Sequence, residues 1–103
     1  MSVQATNTFH TKAGRGGELI ATLRQVLPGT LTHDGCEEIR LWRDQDDEDR
    51  VVSVTRWATR DDYEAYLKWR DLKGDTAMFR EMLTEDMEIH YYDEVCAGGP
   101  KAT

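Results

Sequence analysis

Apolar residues recur along the chain with two alternating periods, and the switches between them mark out its elements. Val3, Ala5, Asn7 and Phe9 alternate with Gln4, Thr6, Thr8 and His10, a period of two that predicts a first strand. The glycines of "TKAGRGGE" break it. From Glu18, Leu19, Leu23, Val26 and Leu27 fall at i, i+4, i+7 and i+8, one face of a helix that Pro28-Gly29 is expected to end. Gly35-Cys36 opens a second strand running to Arg43, with Ile39 and Leu41 on one face and Arg40 and Trp42 on the other. The acidic run Asp44–Asp49 reads as a solvated hairpin loop, and Arg50–Trp57 as a third strand rich in valine and threonine.

Thr59 with Asp62 three residues on has the form of a capping box, followed by a helix whose Tyr63, Tyr66, Leu67 and Arg70 share a stripe. After Gly74, the spacing of Met78, Phe79, Met82 and Leu83 predicts a second short helix. Met87–Val95 alternates again as a fourth strand. The order β-α-β-β-α(α)-β predicts an α+β, ferredoxin-like split βαβ fold, a four-stranded antiparallel sheet with helices on one face. One domain over residues 1–97 and a flexible tail over 98–103 complete the expected organisation. Both sheet faces carry large side chains, so a second copy is expected to cover the face without helices, giving a homodimer.

Composition narrows the function classes. The chain has 103 residues, 39% of them hydrophobic and 32% charged, as in an ordinary single globular domain. A net charge of −7 argues against nucleic acid or an anionic membrane surface as partner. No apolar run approaches the ~20 residues of a membrane span, and the first residues lack a signal-peptide pattern, so a cytoplasmic location is expected. Cys36 and Cys96 read as small buried apolar residues, and His10, His33 and His90 are scattered without metal-ligand spacing. The glycines of "AGRGGE" lack the lysine and hydroxyl residue of a phosphate loop and read as a flexible turn.

Candidate chemistry gathers on one sheet face. Asn7 stands among Val3, Ala5 and Phe9; if that face meets the helices, its amide needs a partner, either a neighbouring backbone group or a ligand. Trp57 ends the third strand, and Tyr63 and Tyr66 follow at helical spacing. Aromatic residues so spaced serve equally as core or as the walls of a cleft for a flat molecule.

The stretch "GCEEIRLWRDQDDEDRVVSVTRWATRDDYEAYL" resembles the antibiotic biosynthesis monooxygenase family: a Gly-Cys opening strand two, an "RDQDD" hairpin, a strand ending in Arg-Trp and a "DDYEAYL" helix. The resemblance runs from Asn7 to the "YYDEV" of the last strand. It implies a dimeric α+β barrel whose subunits each hold a cleft between sheet and helices. It further implies a cofactor-independent monooxygenase that oxidises a phenol or quinol with O2, or else a haem-binding or haem-degrading relative; a non-catalytic small-ligand module is the alternative from another class. In the oxygenase reading neither cofactor nor metal is required, because the substrate's phenolate gives an electron to O2 while the protein orients the ring and stabilises developing charge. The resemblance then makes Asn7 and Trp57 donors to oxygen or substrate oxyanion, and Tyr63 matches a cleft tyrosine. Tyr66 and Phe9 are the further ring contacts. Ser53 replaces a second asparagine four residues before the tryptophan and is a weaker, shorter donor. Toward the haem degraders, Tyr66 replaces their helix tryptophan and Asp75 stands where the axial histidine falls, a poor substitution.

Overall fold

The computed structural model describes residues 2–100. Strands β1 (Val3–His10), β2 (Cys36–Arg43), β3 (Arg50–Trp57) and β4 (Glu88–Tyr92) form one antiparallel sheet in the order β2-β3-β1-β4. Helices α1 (Gly16–Thr30), α2 (Arg60–Leu72) and α3 (Asp75–Met82) complete the predicted ferredoxin-like arrangement and leave the sheet open on its other face. The alternation sets the register. Asn7 lies opposite Ser53 on one side and Ile89 on the other, and Ala5 lies opposite Thr55 and Tyr91, so these side chains share a face. Ala5, Asn7 and Phe9, with Val51, Ser53, Thr55 and Trp57, are all buried.

Two apolar clusters fill the space under the helices. One joins Phe9, Leu19, Leu23, Val51 and Phe79 with Met82 and Leu83; the other joins Ala5, Trp57, Tyr63 and Tyr66. Among the described residues no helix is long and apolar enough to cross a membrane.

Several element ends differ from the sequence reading. Helix α1 begins two residues before Glu18 and runs past Pro28 to Thr30. Proline lacks only its own N–H there, and in the last turns of an exposed helix end that removes one bond while the ring stays outside the core. Its N-terminus is capped from outside. The Asp49 carboxylate accepts the N–H groups of Gly14 and Gly16 at 3.0 and 3.1 Å, so this last residue of the acidic run is structural rather than merely solvated. Gly16 is buried against the Glu48 carbonyl, where a Cβ would collide, so "AGRGGE" is a fitted junction and not a loose turn. Those two backbone bonds hold the Asp49 carboxyl below its ordinary pKa. A depressed carboxylate stabilises the fold above its unfolded pKa, near 3.9, and that contribution fades as pH falls through the folded value. Asp49→Ala is therefore expected to lower the thermal midpoint at neutral pH, with the gap from wild type closing as pH drops below about 4; a gap independent of pH in calorimetric scans would contradict the cap.

Helix α2 starts as read, with Thr59 Oγ1 accepting the Asp62 N–H at 3.1 Å. Gly74, at φ 86°, supplies the left-handed turn that lets α3 follow α2 at once. Strand β4 is shorter than Met87–Val95, because pairing to β1 ends opposite Gln4 and Val95 is 94% exposed. Cys96 is exposed, not buried, and Cys36 is half-buried; both are free thiols. Of the tail expected over 98–103, residues 101–103 lie outside those described.

Candidate functional site

Where the two apolar clusters fail to meet, a cavity of about 60 Å³ remains between sheet and helices. Its floor is Asn7 and Phe9 from β1 with Ser53 and Thr55 from β3, and its roof includes Thr30, Tyr63, Tyr66, Arg70 and Phe79. Of the six side chains singled out from sequence, five line this space: Asn7, Ser53, Phe9, Tyr63 and Tyr66. Trp57 does not. It is fully buried behind the tyrosines, its ring centroid 5.4 Å from Tyr63 and 5.1 Å from Tyr66. Its indole N–H donates to Thr55 Oγ1 at 2.8 Å, and that hydroxyl donates to the Ala5 carbonyl at 3.3 Å. The expected indole donor is thus committed within the protein, because a β-strand places residues 55 and 57 on the same face, within reach of one another.

Asn7 is 7% exposed. Its amide nitrogen donates to the Met87 sulfur at 3.4 Å, and its Oδ1 is the only buried side-chain nitrogen or oxygen without a partner among the described residues. Asn7 therefore brings an unpartnered acceptor to the cavity lining in addition to the expected donor, since the bond to Met87 uses one of its two amide protons. Leaving such an oxygen unpaired costs about 1–3 kcal/mol, a cost that a ligand hydroxyl would remove.

The roof carries a polar network that the sequence reading passed over. Arg70, 5% exposed, donates from Nε to the Tyr66 hydroxyl at 2.9 Å, from Nη1 to Asp75 Oδ2 at 2.8 Å, and from Nη2 to the Val26 carbonyl at 2.8 Å and Thr30 Oγ1 at 2.9 Å. Thr30 and Tyr66 oxygens lie 2.8 Å apart. Burial alone would lower the guanidinium's pKa; the bonds to Tyr66 and Asp75 outweigh it and hold it above its usual value. Arg70 was visible on the tyrosine stripe, but nothing in the spacing signalled that Thr30, far off in sequence, would join it. Asp75 is tied to Arg70, so the position aligned with an axial haem ligand holds a carboxylate engaged in an ion pair.

Burial, then the neighbouring phenols of Tyr91 and Tyr66, push the Tyr63 hydroxyl well above the ordinary tyrosine range, with the Asn7 amide acting in the opposite direction. Tyr63 thus stays neutral and offers both a proton and lone pairs. A larger groove of about 730 Å³ runs between α1 and β2, lined by Leu27, Leu31, Leu41 and Trp42 among others. It is open to solvent and holds no buried polar atom lacking a partner among the described residues, so the chemistry points to the smaller cavity.

The sheet, the helices over it and the hollow between them define a ferredoxin-like α+β domain. The chain belongs to the antibiotic biosynthesis monooxygenase family, whose profile matches residues 2–73. Solved structures share the fold. SnoaB of Streptomyces nogalater, a cofactor-independent oxygenase, superimposes with a TM-score of 0.79 at 17% identity over 93% of this chain and 95% of its own. Rv0793 of Mycobacterium tuberculosis gives 0.74 at 20% identity over 96% and 100%. A conserved protein of Methanosarcina mazei Go1 gives 0.79 at 14% identity over 89% and 91%. No curated protein matches the sequence.

Proposed function

We propose that the protein is a cofactor-independent monooxygenase that oxidises a small aromatic phenol or quinol with O2. The observation that carries this reading is the unpartnered, buried Asn7 Oδ1 facing a cavity walled by Phe9, Phe79, Tyr63 and Tyr66. A phenolic hydroxyl donates to that oxygen while its ring lies against the aromatic walls. Family membership and the fold shared with SnoaB support the oxygenase class.

In this reading Asn7 and Ser53 hold the reacting edge of the ring from the sheet, and Tyr63 orients it from α2. Trp57 is a positioning residue. It fixes Thr55 and packs behind both tyrosines, so that the walls keep their angle. Enclosure keeps water from the ring anion and places O2 against it. At about 60 Å³ the cavity is well below the ~150 Å³ that takes up benzene, so entry of a ring requires side chains of the roof to move. Two copies pair through the open sheet face, where Trp42 and Tyr92 are 57% and 51% exposed.

The test is O2 uptake by metal-free protein given a panel of anthrones and naphthalenediols. Wild type is expected to consume O2 with at least one of them, and Asn7→Leu to slow it on the order of 100-fold. Uptake equal in the two proteins, or none above buffer in either, would remove the proposal.

A further inference from the structure

Of the donors expected from sequence, the Trp57 indole is spent on Thr55 and one of the two Asn7 amide protons on Met87. Beside the second Asn7 amide proton and the Tyr63 hydroxyl, a count of protons on the roof locates a further donor for a ligand oxygen. Thr30 and Tyr66 hydroxyls carry one proton each. Each oxygen accepts a bond from Arg70, and the two share one bond between them. Whichever way that shared bond points, one hydroxyl proton is left over with no acceptor among the described residues, and both side chains line the cavity. Arg70, fixed by its bonds to Asp75 and the Val26 carbonyl, holds the pair through two more and polarises both oxygens, which strengthens the proton left over as a donor.

We propose that Thr30 and Tyr66, backed by Arg70, form a donor pole that binds an oxygen of the ligand. Resting on the reading above, this narrows the substrate class to rings bearing oxygens on two edges: a hydroxyl donated to Asn7 at the sheet, and a carbonyl, hydroxyl or oxyanion accepted by the roof. The two poles come from opposite layers, β1 below and α1 with α2 above, so a ring spans them only with its oxygen groups well separated, as in a para-quinol.

Binding of 1,4-dihydroxynaphthalene and of 1-naphthol, measured by calorimetry without O2, tests the pole apart from any turnover. Wild type is expected to bind the two-oxygen ring roughly tenfold tighter, one hydrogen bond's worth. Thr30→Val and Tyr66→Phe each still leave one hydroxyl proton free and keep the preference, and together they erase it; Thr30→Ser combined with Tyr66→Phe, which retains one hydroxyl, keeps it. If the double variant lacking both hydroxyls does not fold, Thr30→Ala combined with Tyr66→Phe carries the test. A preference that survives in that double variant, or is missing from wild type that binds both rings equally, overturns the donor pole and leaves the aromatic cavity standing. Wild type binding neither ring overturns both.

Discussion

Replacing Arg70 with methionine is expected to lower the unfolding free energy by about 3 kcal/mol, the low end for removing one partner of a buried charged pair. For a domain of this size that is a fall of roughly 10–20 °C in the thermal midpoint. The reason is what the guanidinium leaves behind. Its side chain is 6% exposed, and it serves two hydroxyls, a carbonyl and a carboxylate that makes no other ion pair among the described residues. Asp75 is 18% exposed and turns partly to water, which keeps the loss from being larger. A surface pair sets the contrast. Arg40 lies 2.6 Å from Glu38 but is 62% exposed, so Arg40→Met is expected to cost less than about 1 kcal/mol. Urea melts giving both variants the same small loss would show that the Arg70 network does not hold the roof.

The second large effect has the opposite sign for stability and activity. Asn7→Leu removes the unpartnered Oδ1 and one long N–H···S contact, and it puts a side chain of similar size among Phe9, Phe79 and Tyr63. The ligand-free protein is expected to gain about 1–3 kcal/mol while turnover collapses. Were Asn7 a structural residue satisfied by its surroundings, the same change would destabilise the fold instead. Urea melts of wild type and variant separate the two cases, and a loss of stability in Asn7→Leu would refute a site role for the amide.

Much of this was legible in the chain because it depends on local periodicity. Alternation over Val3–His10 put Asn7 and Phe9 on one face with Val3 and Ala5, while Ser53 was reached only through the family resemblance. The helical spacing of Tyr63 and Tyr66 put their rings above that face. What escaped were events set by long-range contact. Nothing near Asp49 in sequence shows that its carboxylate would cap a helix thirty-odd residues earlier. Nor does the alternation of β3 reveal that Thr55 would take the Trp57 N–H, since period two fixes the face but not the rotamer. Thr30 was lost because Pro28-Gly29 was read as a stop, two residues before the hydroxyl that completes the Arg70 network. Strand β4 was overextended because alternation continues past Tyr92, where the pairing to β1 ends.

The most direct check on the site is a nitrogen-15 NMR titration of the protein with 1-naphthol, following the Asn7 side-chain amide. Assignment of the ligand to the cavity requires the Asn7 Nδ2 resonances to shift saturably, together with the backbone signals of Ser53 and Tyr63. Saturable shifts confined to Leu31, Leu41 and Trp42 along the outer groove, with the Asn7 amide unmoved, would contradict it.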